Sequence, residues 1–170
     1  MPINVEAYLT GGIVSGTFAR AGQLRDFLET SNELPLAGAN WQAIDGVMTG
    51  PSGDISIASD DVLIVVSDDD PFIAAHAAWH NIVLDVGPYS VSGDLPTLPG
   101  FDPGRALTRP SGEFVMLRDV HVGLLADPTQ AIDCHHALIN RYSVDRVQAD
   151  LMLGFFFPGA AMDDQQAATA

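Results

Sequence analysis

His76 and His80 stand four residues apart in Phe72-Ile-Ala-Ala-His-Ala-Ala-Trp-His80. On a helix that spacing sets both imidazoles on one face, the arrangement two ligands of zinc, copper or nickel need. Asp68, Asp69 and Asp70 lie just upstream and add candidate oxygen ligands. A plainer reading has two half-exposed histidines on a linker beside Trp79. No glutamate follows the first histidine, as the metalloprotease motif requires.

Cys134-His135-His136 is the second cluster. A thiol among imidazoles can bind a soft metal, or attack as a nucleophile if a base lowers its pKa. In an extended strand, neighbours point to opposite faces, so Cys134 and His135 do not meet, nor do His135 and His136. That favours an inert cysteine at a strand edge. A site joining Cys134 and His136 to His76 and His80 is conceivable, but sequence does not place them together.

Other chemistries are excluded more firmly. The chain contains no lysine, so a Walker A loop, a Schiff base and a kinase-type ATP lysine all lack their ammonium group. Ser15 and Ser92 precede glycines without the Gly-x-Ser-x-Gly elbow. The runs Asp60-Asp61 and Asp68–Asp70 lack the alternating spacing of an EF-hand. There is no Gly-x-Gly-x-x-Gly and no glycosylation sequon. Trp41, Trp79, Tyr8 and Tyr89 are read as packing residues before a sugar- or peptide-binding surface. No cofactor follows from these residues beyond the metal ion just considered.

With 22 acidic side chains against 7 arginines, the formal charge is −15. Nucleic-acid affinity is built largely of cation–phosphate contacts, so no binding to RNA or DNA is expected. Anionic membranes are disfavoured for the same reason. The single Cys134 forms no internal disulfide. The start, Met1 to Gly12, does not read as a signal peptide, and Leu151–Met162 is too short to span a bilayer. The expected location is cytoplasmic.

The elements that would position such groups are mostly strands. Val5, Ala7 and Leu9 alternate with Glu6 and Tyr8, and Gly11-Gly12 is read as a tight turn with positive φ. Leu24, Phe27 and Leu28 have helical spacing within Gly22–Thr30. Pro71–His80 reads as a helical turn and Pro99–Pro110 as a loop. The segment Asn4–Gly16 aligns without a gap on Asn81–Gly93, each opening on asparagine and closing on Val-Ser-Gly. Each copy continues through a polar segment with one arginine (Arg25, Arg105) to an apolar strand, Glu33–Ile44 or Glu113–Leu125. A last apolar run follows, Asp61–Val66 in the first copy and His136–Arg141 in the second. Gly16 and Gly93 fall late in a strand, where glycine marks a bulge or bend.

This order resembles the Sm-like small barrel, a strongly bent five-stranded sheet with glycine at the bend. It is also similar to uncharacterised bacterial proteins with the pattern strand, Gly, strand, Arg-Asp-x-Leu, strand, strand. Arg25-Asp-Phe-Leu28 matches that element, while the second copy keeps Gly104-Arg-Ala-Leu107. The resemblance implies a mainly β chain of two tandem Sm-like modules, strongly bent five-stranded barrels or sheets, with one short helix. The first spans 1–70, a linker 71–80, the second module 81–158 and a flexible polar tail 159–170. The family's RNA-binding signature is missing: there is no Asp-x-Asn pocket and no Arg-Gly pair. Self-association through strand edges is what carries over.

The expectation is therefore a non-enzymatic structural or interaction protein, homo-oligomeric or part of a larger complex. The alternative is a metal-binding protein or metal-dependent enzyme built on the histidine clusters. Leu151, Leu153, Phe155, Phe156 and Phe157 mark the expected interface. That run is uncharged, and alternation leaves both of its faces in need of cover.

Overall fold

Alternation and turn chemistry produce eleven strands and one helix in the computed structural model, which describes residues 2–19, 22–44, 49–69, 78–97, 113–149, 157 and 159–164. The first half comprises β1 (Ile3–Leu9), β2 (Gly12–Phe18), α1 (Leu24–Thr30), β3 (Glu33–Ala43), β4 (Thr49–Ala58) and β5 (Ile64–Ser67). A short 3-10 turn, Ser59–Asp61, separates β4 from β5. The second half comprises β6 (Ala78–Val86), β7 (Tyr89–Thr97), β8 (Phe114–Leu124), β9 (Ala131–Asn140), β10 (Val144–Ala149) and β11 (Ala161–Asp164). Here the 3-10 turn Arg141–Ser143 separates β9 from β10.

All eleven strands belong to one sheet, in the order β11-β10-β6-β7-β8-β9-β5-β1-β2-β3-β4. Every pairing is antiparallel except β10 with β11. This corrects the expectation of two separate barrels. The sheet does not close, because β5 pairs with β1 on one side and with β9 on the other, joining the halves into one ladder.

Within each half the strands pair in the same register. Val5 faces Gly16, Ala7 faces Val65 and Leu34 faces Ile57. In the second half Ile82 faces Gly93, Leu84 faces Val147 and Val115 faces Ile139. The ladder slips between Ser15 and Thr17 on β2 and between Ser92 and Asp94 on β7, at the two glycines. Opposite each slip sits a left-handed residue, Gly38 at φ +58° and Asp119 at φ +52°. Asp is one of the few side chains that tolerates this region.

The central strands are apolar on both faces, and a core lies on each. Met116, Leu138, Val65, Ala7 and Val14 are successive cross-strand neighbours facing one core. Val115, Ile139, Ile64 and Tyr8 form the adjoining row and face the other. Helix α1 buries Leu24 and Leu28 in the first core, and Phe27 meets Phe18 edge-on at 4.9 Å between ring centres. Phe114 of β8 is fully buried in that same core. Each half thus lends side chains to the core of the other.

Several sequence expectations change. Gly11 and Gly12 are not among the glycines with positive φ; the turn is Thr10-Gly11. What Gly12 provides is room, since a Cβ there would lie 2.9 Å from the Trp41 ring. The equivalent turn Gly87-Pro88 does use φ +54° at Gly87, the first central position of a primed turn. His136–Asn140 belongs to β9, the partner of β8, so it is not the counterpart of Asp61–Val66. The apolar stretch Ala137–Ile139 within it reflects burial on both faces. The strands unread from sequence are β4, β10 and β11. Residues 78–80 of the expected linker lie in β6, and 161–164 of the expected tail form β11.

Candidate functional site

The seam where β5 meets β9 concentrates the polar chemistry of the described residues. Only Ile64 with Ile139 and Val65 with Leu138 are paired across it. Polar side chains extend the join at both ends. At one end Asn140 Nδ2 donates to Val62 O at 3.1 Å, and the Asn140 backbone N–H donates to Leu63 O at 2.9 Å. At the other, His136 Nε2 lies 3.2 Å from Asp69 Oδ1, with the imidazole buried. Tyr89 adds a third tie, its hydroxyl donating to Leu9 O at 2.6 Å while its ring meets Tyr8 edge-on at 5.3 Å. Burial pushes the Tyr89 phenol up to about 12, so it stays a hydrogen-bond donor at any ordinary pH.

An open cleft of about 560 Å³ runs over this seam. Glu6 of β1, Asp68 after β5 and Asp133 of β9 bring carboxylates to it, around Val66, Ile132 and Cys134. Asp68 is itself engaged, accepting from the Asn4 backbone N–H and from Asn4 Nδ2, both at 2.8 Å. Burial first, then the negative charges of Glu6 and Asp133, push the Cys134 thiol up to about 11. It is protonated at neutral pH and is the opposite of an activated nucleophile. His135 is exposed. His121 Nδ1 pairs with Asp133 Oδ1 at 2.6 Å on the surface.

The predicted metal residues fare as follows. His80 lies in β6 opposite Leu95, on a strand, so the helical spacing argument does not hold at that end. His76 lies outside the described residues. His136 is directed to Asp69, while Cys134 packs beside the second core. Among the described residues no group of three His, Cys, Asp or Glu side chains is arranged to hold a metal ion. Of the expected interface, Phe157 is fully buried in the second core, and Leu151, Leu153, Phe155 and Phe156 lie outside the described residues. No described helix is long and apolar enough to cross a membrane.

A carboxyl pair completes the seam. Burial, then the hydrogen bond and charge of Asp60, hold the Glu113 carboxyl above the ordinary glutamate value of 4.5, opposed by the bond from Asn140 Nδ2. The folded chain therefore binds this proton more tightly than the unfolded one. Its contribution is complete below the unfolded value and is lost as pH rises through the raised folded value. Glu113→Gln keeps an acceptor for Asn140 and adds a donor for Asp60. The variant is expected to melt at the wild-type temperature near pH 4. Above about pH 7 it should be more stable by about 0.5 kcal/mol, the scale of a partly exposed charge pair. Thermal melts across that range check it, and an equal shift at all pH values would contradict it.

The sheet edges are the remaining feature. β4 is the last strand on one side, and β11 on the other. No family model, curated protein or solved structure matches the chain.

Proposed function

We propose that this protein is an internal duplication of one Sm-like β-module and that it works by association through strand edges, as a non-enzymatic scaffold for copies of itself. The shared register of the two halves supports the duplication. The observation that carries the function is the pairing of β5 with β9, since it is one module docked on the next through their edges. The same pairing can recur between chains. β4 is the counterpart of β9 by register, and β10 is the counterpart of β5. Leu138 and Ile139, the paired residues of β9, correspond to Ser56 and Ile57 on β4. Their chain-to-chain partners on β10 are Val147 and Arg146.

The β4 edge is suited to a specific partner rather than to aggregation. Pro51 and the register shifts around Gly53 spoil its first half as a template. Ile55–Ala58 remains regular. Ser56 faces Pro35, which has no N–H to offer, so the Ser56 backbone groups are directed outward. Asn140, two residues beyond the counterpart of Ser56, likewise donates outward, to Leu63.

Ser56→Pro removes that outward donor and leaves the β3 ladder intact. Light scattering coupled to size exclusion should show the native mass rising above 18.0 kDa with concentration. Added salt should promote the rise by screening a charge of −15 per chain. Ser56→Pro should stay at the monomer mass. A native chain that remains monomeric up to about 1 mM, the weak limit of specific association, would defeat the reading.

A further inference from the structure

We infer that β11 is a removable cap on the association edge of β10, so that the chain's own C-terminal strand sets the concentration at which copies join. The inference rests on the edge-association reading above and adds its regulation. β11 pairs with β10 from Arg146 with Ala161 to Ala149 with Asp164. On β5, the counterpart of β10, the same outer edge is occupied by β9. β11 therefore occupies the position that the β4 strand of a second copy would take.

Three features make it displaceable. It is only four residues long. It runs parallel to β10, whereas every other pairing in the sheet is antiparallel, and parallel pairing is slightly weaker per residue. An incoming β4 would pair antiparallel, as β5 and β9 do, and would restore the arrangement already present inside the chain. The cap also finishes the edge safely while it is in place. β11 ends on Asp163-Asp164, and charged residues on an outer strand discourage further pairing. While β11 is in place, the β4 edge of one chain meets no complementary β10 edge on another.

The test holds the cap shut and then frees it, in the full-length chain. Gln148 and Asp163 are cross-strand partners on β10 and β11, so Gln148→Cys with Asp163→Cys can be locked by a disulfide and released by reductant. Cys134 interferes little because burial keeps its thiol protonated. The oxidised chain is expected to remain monomeric at every concentration, and the reduced chain to associate as the native one does. Met162→Pro with Asp163→Pro removes ladder donors from β11 and should lower the concentration for half-association by tenfold or more. Its melting curve checks that the rest of the sheet persists. Association unchanged by the disulfide, or equal in native and proline variants, overturns the cap and leaves edge association standing. If native, reduced and proline chains all stay monomeric, edge association fails along with it.

Discussion

Truncating Phe114 to alanine is expected to cost about 3–5 kcal/mol and to lower one cooperative unfolding transition without splitting it. Phe114 belongs to β8, yet it is fully buried among Phe18, Leu24, Leu28 and Leu34 of the first half. The next residue, Val115, faces the opposite core. Removing the ring thus leaves a cavity in the core of one half through a residue supplied by the other. If the halves were independent units on a tether, urea or calorimetric unfolding would show two steps, and Phe114→Ala would move only one. The interleaved rows across β8, β9, β5 and β1 require both halves to unfold together. Two resolved transitions in the native chain would refute the interleaving.

The second large effect is expected at the bends. A Cβ on Gly16 would lie 3.0 Å from Leu36 Cβ and 3.1 Å from Ala37 O. On Gly93 it would lie 3.1 Å from Arg118 O and 3.2 Å from Val120 Cγ2. In both cases a backbone carbonyl of the next strand closes the space, so the neighbour cannot swing aside. Here glycine is needed for close approach of strands, not for positive φ. Gly16→Val and Gly93→Val should each destabilise by about 3 kcal/mol, the upper end of ordinary overpacking costs. The urea midpoint should fall at unchanged slope. Matching losses fit equivalent bends. A tolerated valine at one site alone would show that the two positions are not under the same constraint.

Much of the sheet was legible because alternation and turns are local signals. Val5 and Ala7 give β1, the spacing of Leu24 and Leu28 gives α1, and Gly16 and Gly93 mark the register slips. β4 was not legible, since Gly50, Pro51, Ser52 and Gly53 put turn residues in place of alternation. An edge strand tolerates them because its outer groups need no partner. His80 was read as helical from its spacing to His76; the β6–β7 ladder, running unbroken from Ala78 with Thr97 to Val86 with Tyr89, overrides that local pattern. His136–Arg141 was assigned to the wrong counterpart because a strand buried on both faces loses its alternation.

The candidate site was less legible still. Cys134, His135 and His136 stood out only as neighbours in sequence. Nothing local, however, tells which strand edge β5 will meet. The ties that fix the seam, Asn140 to Val62, His136 to Asp69 and Tyr89 to Leu9, join residues 67 to 80 positions apart. Each looks like an ordinary polar residue until the fold brings its partner alongside. The ungapped match of Asn4–Gly16 to Asn81–Gly93 was the one sequence signal that pointed toward equivalent edges.

The most direct test of edge association is residue-resolved amide hydrogen exchange along β4, followed as the concentration of the native chain is raised. Pairing with β10 of a second copy should slow exchange at Ser56 and Ala58, the outward-facing amides. Ile57, already turned toward β3, should change little. Assembly that leaves Ser56 and Ala58 exchanging at their dilute rates would place the contact elsewhere and contradict the account.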